Sequence, residues 1–157
     1  MEEVTWPATP SSALRFVLYT AMPESRKESS QGLVLIVDDD PVFISQLAQI
    51  LIERGYLVLG AKDALSALDL LNQHELNFSL AIIDVFMPMG GGFDLITRLA
   101  ARKGNLKIIA VSIGRQTVLD KAIALGADAG VAKLQPGTPL DSRQWIAEVF
   151  LQIGLPA

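Results

Sequence analysis

The sequence predicts an α/β fold, a doubly wound parallel sheet of five strands. Five short apolar runs rich in β-branched residues alternate with stretches whose apolar residues recur at helical spacing. The runs are continuous rather than alternating, as in parallel strands buried on both faces. Polar residues close four of the five runs, at the end where such sheets bind ligands. Right-handed crossovers then restrict the topology to a doubly wound sheet.

Residues 1–32 differ in texture from the rest. Pro, Ser, Thr and charged residues surround one apolar patch, Leu14 to Tyr19, and the expectation is a poorly ordered tail. The patch could instead add a strand at a sheet edge or lie on a helix, and Met22 followed by Pro-Glu-Ser-Arg-Lys raises a third alternative, that translation begins there. Residues 33–157 form the expected single domain.

The first strand is Leu33 to Val37. Asp40 and Pro41 start a helix, with Asp40 as N-cap and Pro41 where its missing N–H costs nothing. Phe43, Leu47, Ile50 and Leu51 mark its apolar face, and Arg54-Gly55 its stop. Tyr56 to Gly60 reads as the second strand. A helix with Ala64, Leu65, Ala67, Leu68, Leu70 and Leu71 runs to about His74, which is assigned no role. Leu80 to Val85 is the third strand, followed by a loop of Pro88 and Gly90 to Gly92. Phe93, Leu95, Ile96 and Leu99 mark a third helix closed near Gly104. Leu106 to Ser112 is the fourth strand, and a helix carrying Val118, Leu119, Ala122, Ile123 and Leu125 ends at Gly126. Ala129 to Leu134 is the short fifth strand. The last helix starts near Asp141 or Ser142 and carries Trp145, Ile146, Val149, Phe150 and Ile153.

Composition narrows the function. Half of the 157 residues are hydrophobic and mean hydropathy is +0.37, so the chain is globular. It has no cysteine, which excludes disulfides, thiol catalysis and cysteine-held zinc and suits the cytoplasm. A net charge of −4 gives no footprint for nucleic acid. No apolar run approaches the ~20 residues of a membrane span, and Glu2 and Glu3 argue against a secretory signal.

The chemistry gathers at the strand ends: Asp38 and Asp39 after the first, Asp84 on the third, Ser112 on the fourth and Lys133 on the fifth. Asp40 is accounted for as a cap. Two carboxylates ~4 Å apart repel by about 4 kcal/mol at an effective dielectric of about 20. A divalent cation is the economical way to offset that.

Residues 33 to about 153 resemble the receiver domain of a two-component response regulator, the chemotaxis-regulator type of flavodoxin-like fold. The resemblance implies strand order 2-1-3-4-5. Val37 to Pro41 is similar to the family's acidic pair, so Asp38 and Asp39 would hold magnesium. Ile83 to Pro88 is similar to the phosphoacceptor segment, which makes Asp84 the residue phosphorylated and the Phe86 backbone carbonyl a further metal ligand. Ser112 falls where the family has a hydroxyl, and Lys133, after Gly126-Ala127-Asp128-Ala129, at the invariant lysine. In that role Asp84 is the nucleophile, and Lys133 and Ser112 each meet a phosphoryl oxygen. The added charge could draw Ser112 inward, with a readout on the fourth helix. Histidine kinases or histidine phosphotransfer proteins would supply the phosphate, an output protein would receive the signal, and a homodimer is one assembly allowed. With no DNA-binding segment following, the expectation is a single-domain regulator and not an enzyme.

Four positions depart from the family pattern. Leu134 follows Lys133 where proline is usual, and without proline a trans bond is expected. Gly130 stands where an aromatic switch residue is common, Ile113 replaces a small residue and would crowd the pocket, and Gly91 replaces an acid. These departures support an alternative, a degenerate receiver that binds partners without being phosphorylated. A minority reading is a haloacid-dehalogenase-type phosphatase on Asp38-x-Asp40-x-Val42, which lacks its further acidic motif because Asp141 and Glu148 close no strand.

Overall fold

The computed structural model describes residues 23–73, 76–87, 91–102, 104–133 and 142–155. Met22 and most of the proposed tail, His74, Pro88, Gly90, Leu134 and Asp141 lie outside them. The elements are α1 (Glu24–Glu28), β1 (Leu33–Val37), α2 (Pro41–Glu53), β2 (Leu57–Ala61), α3 (Ala64–Leu71), β3 (Phe78–Asp84), α4 (Gly92–Ala101), β4 (Lys107–Ser112), α5 (Gln116–Ala124), β5 (Ala129–Ala132) and α6 (Ser142–Gln152). All four strand pairings are parallel, in the order β2-β1-β3-β4-β5. This is the doubly wound, flavodoxin-like arrangement expected from the sequence.

Successive residues of a strand point to opposite faces, so a continuous apolar run feeds two cores. Leu35, Val37, Ala81, Ile83, Ile108 and Ala110 pack with α3, α4 and α5 on one face. Val34, Ile36, Leu80, Ile82, Ile109 and Val111 pack with α2 and α6 on the other. Every residue of β1 is buried. Trp145 is buried in the second core.

Strand ends differ by a residue or two from the sequence reading, β5 closing at Ala132 before Lys133, and two of the shifts have a visible cause. β3 begins at Phe78, two residues earlier, because a bulge opposite Leu33 absorbs Ser79, whose hydroxyl donates to the Leu33 carbonyl at 3.2 Å. Polar Ser79 masks this start. Tyr56 is buried but precedes β2, its N–H closing the end of α2 on the Leu51 carbonyl. The short α1, with a Lys27–Glu24 ion pair at 2.9 Å, carries no buried residue and no signal in the apolar pattern.

Asp40 caps α2 as its spacing suggests, accepting from the Val42 N–H at 2.9 Å, with Pro41 opening the helix. Asp40→Ala is expected to cost about 1 kcal/mol, read as a lower urea midpoint with unchanged slope.

Candidate phosphoryl site at the carboxyl rim of the sheet

Strand register brings the chemistry together. Val37 pairs with Ile83, so Asp38 and Asp84, each one residue further on, are neighbours across β1 and β3. Asp84 pairs with Val111, and Ser112 pairs with Ala132. Lys133 comes next, its N–H donating to the Ser112 carbonyl at 2.9 Å. The Asp38 N–H donates to the Ala61 carbonyl at 3.0 Å and carries the β1–β2 ladder one residue past the strand. Asp38, Asp84 and Ser112 are the buried polar residues among those described, while Asp39 is exposed.

The ammonium of Lys133 joins the two buried acids. Its Nζ lies 2.7 Å from Asp38 Oδ2 and 3.6 Å from Asp84 Oδ2. Each acid is fixed by its second oxygen: Asp38 Oδ1 accepts from the Asp40 N–H at 2.8 Å, and Asp84 Oδ1 from the Phe86 N–H at 3.0 Å. The Ser112 Oγ accepts from the Gly114 N–H at 2.9 Å, which leaves the hydroxyl proton available for donation. A Cβ on Gly114 would come 2.9 Å from the Phe86 ring and 3.0 Å from Ser112 Oγ, so glycine lets this turn close over the hydroxyl. Phe86 and Ile113 are both exposed beside it.

The electrostatics follow from burial. Burial raises the Asp38 carboxyl above its ordinary range, outweighing the hydrogen bond from Lys133. Burial, with the Asp38 charge next, pushes Asp84 up to about 6. Burial alone would lower the Lys133 ammonium, but its hydrogen bond to Asp38 and the charges of Asp38 and Asp84 raise it. The site is therefore short of positive charge. Asp38, Asp39 and Asp84 each offer one carboxylate oxygen, all within 4.8 Å of one another. This all-oxygen set suits a hard divalent cation such as magnesium.

Two sequence expectations acquire a physical setting. Gly130 lies against Leu119 of α5, and a Cβ there would fall 2.9 Å from the Leu119 Cβ. Any side chain at this position would require Leu119 and its helix to shift. Asp40, the second acid of the dehalogenase-type pattern, is engaged in capping α2.

Sequence reasoning missed two side chains next to this centre. The Phe43 ring lies under Lys133, with Nζ 4.4 Å from its centroid, and Trp145 meets Phe43 edge-on at 6.2 Å. The Trp145 Nε1–H donates to the Ala132 carbonyl at 2.8 Å. Both residues read as ordinary apolar helix positions, and residue spacing does not show how their helices pack beside Lys133.

Fold and rim together define a flavodoxin-like protein with an aspartate–lysine centre at its strand ends. The chain belongs to the response regulator receiver domain family, whose profile matches residues 34–141. It is 35% identical over 109 residues to the response regulator GtcR of Aneurinibacillus migulanus, covering 69% of this chain and 43% of that protein. It is 32% identical over 118 residues to the transcriptional regulatory protein CpxR of Escherichia coli, covering 74% and 47%. The chain thus spans less than half the length of these relatives. A CheY-like receiver domain protein from Methanospirillum hungatei superposes with a TM-score of 0.67 at 26% identity, over 80% of this chain and 95% of that one. A response regulator from Burkholderia pseudomallei, solved with a phosphorylated aspartic acid, calcium ion and citrate, gives 0.64 at 26% identity over 74% and 65%.

Proposed function

We propose that this chain accepts a phosphoryl group on Asp84 from a phosphohistidine of a histidine kinase or phosphotransfer protein and signals by protein contact. The observation that carries this reading is the placement of the Lys133 ammonium between buried Asp38 and Asp84. The Asp84 carboxylate attacks phosphorus; an O–P bond forms, the N–P bond breaks, and the imidazole leaves with its electron pair. With a carboxyl shifted to about 6, Asp84 is mostly ionised at pH 7 and able to attack. Lys133, already paired to both acids, neutralises a phosphoryl oxygen as a point charge. The Ser112 hydroxyl donates to another. Magnesium held by Asp38, Asp39, Asp84 and the Phe86 carbonyl would supply the remaining charge neutralisation and clamp a phosphoryl oxygen. Hydrolysis of its own acyl phosphate is the only turnover proposed.

The proposed setting is the cytoplasm. It is supported by the lack of cysteine and by the absence, among the described residues, of any helix long and apolar enough to cross a membrane. The net charge of −4 speaks against nucleic acid as a direct partner.

Incubation with a small acyl phosphate and magnesium tests the reading. Intact mass should show one added phosphoryl group, absent when a chelator is present. Magnesium alone should also raise the melting temperature, by the equivalent of about 2.7 kcal/mol at a hundredfold excess over its Kd, and chelation should reverse this. The alternative, a receiver that works without phosphorylation, is favoured by the Gly130–Leu119 packing. It predicts an unchanged mass.

A further inference from the structure

We infer that Trp145 and Phe43 are positioning residues for Lys133, so that the last helix sets where the ammonium stands. The inference rests on the function proposed above and concerns how its cation is held. Lysine is a flexible four-carbon stem, and a point charge stabilises a phosphoryl oxygen only if it stays in place. A displacement on the order of 1 Å can cost on the order of a hundredfold in rate.

Contacts from two helices constrain this lysine. From α2, the Phe43 ring faces Nζ at 4.4 Å, and the negative face of the ring attracts the ammonium. From α6, Trp145 acts twice. Its indole N–H holds the Ala132 carbonyl, immediately before Lys133, at 2.8 Å. Its ring meets Phe43 edge-on, at 6.2 Å and 80° between planes, which keeps Phe43 turned toward the lysine. Trp145 is buried, and its indole N–H is satisfied by this bond. The backbone before Lys133 and the ring beneath its ammonium therefore depend on one side chain.

The test compares Trp145→Phe, which keeps an apolar ring and removes the N–H donor, with the full wild-type chain. Its rate of labelling by a small acyl phosphate with magnesium should fall about tenfold, while the melting temperature falls by only a few degrees. In a Lys133→Ala background the same substitution should cause no further fall, because its effect passes through the lysine. Phe43→Leu should slow labelling similarly, and Phe43→Tyr, which restores a ring face, should recover it. An equal fall in the Lys133→Ala background would show that Trp145 acts through the fold at large and would overturn the inference. A second readout does not need phosphorylation. The Lys133 Nζ protons, held by Asp38, should give a slowly exchanging NMR signal in the wild type that Trp145→Phe loses. A wild type that takes up no phosphate sinks the proposed function alone; a Trp145→Phe protein with an unchanged Lys133 signal sinks this inference.

Discussion

Asp84→Asn is expected to take up no phosphate and, at pH 7 without metal, to be more stable than the wild type. The loss of uptake follows from removing the attacking oxygen while keeping the side chain's shape. The gain in stability follows from charge. Asp84 titrates near 6 in the folded chain against 3.8 as its ordinary value, so folding at pH 7 works against the ionised group. About two pKa units correspond to about 3 kcal/mol, an upper limit on what the amide recovers. Between pH 4 and 6 the folded state binds more protons than the unfolded one, so the metal-free wild type should lose stability as pH rises through this window. Asp38, also raised by burial, adds to the trend in the same direction. Asp84→Asn should flatten the curve, and so should magnesium in the wild type. Denaturant midpoints at a series of pH values check both.

Lys133→Ala should be the more damaging change. It removes the cation from Asp38, which has no solvent exposure, and from Asp84. Breaking one side of a buried ion pair costs about 3–5 kcal/mol when the remaining charge cannot escape. Here the acids can escape by protonation, so the loss at pH 7 should lie near the lower end, shrink toward pH 5, and be partly restored by magnesium. The phosphorylation rate has no such relief. Loss of a preorganised charge at the transferring group costs on the order of 100- to 1000-fold. Lys133→Arg should not restore it, because a planar fork does not reproduce a compact charge between two carboxylates. Rates from intact mass and stability from denaturant titration, taken together, separate the two effects.

Much of this was legible in the chain. Leu33 to Val37 could be bounded because five buried apolar residues stop at carboxylates, and Asp40-Pro41 could start a helix because each has one local use there. The rim was legible because a parallel sheet aligns its strand ends, so Asp38, Asp84, Ser112 and Lys133 had to meet if the strands did. What stayed hidden was non-local or masked. Ser79 concealed the bulged start of β3, since a polar residue in an apolar run reads as an end. The Phe43 ring under Lys133 and the indole bond to Ala132 depend on how α2 and α6 pack on one face, which residue spacing does not encode. Gly130 announced the missing aromatic ring, but not how closely Leu119 packs against that glycine.

Reductive trapping tests the central claim most directly: borohydride converts an aspartyl phosphate to homoserine, and peptide mass spectrometry then reads its position. After treatment with a small acyl phosphate and magnesium, homoserine is predicted at Asp84 and at no other aspartate. Homoserine at Asp38 or Asp39, or none on a chain shown to be folded, would contradict the account.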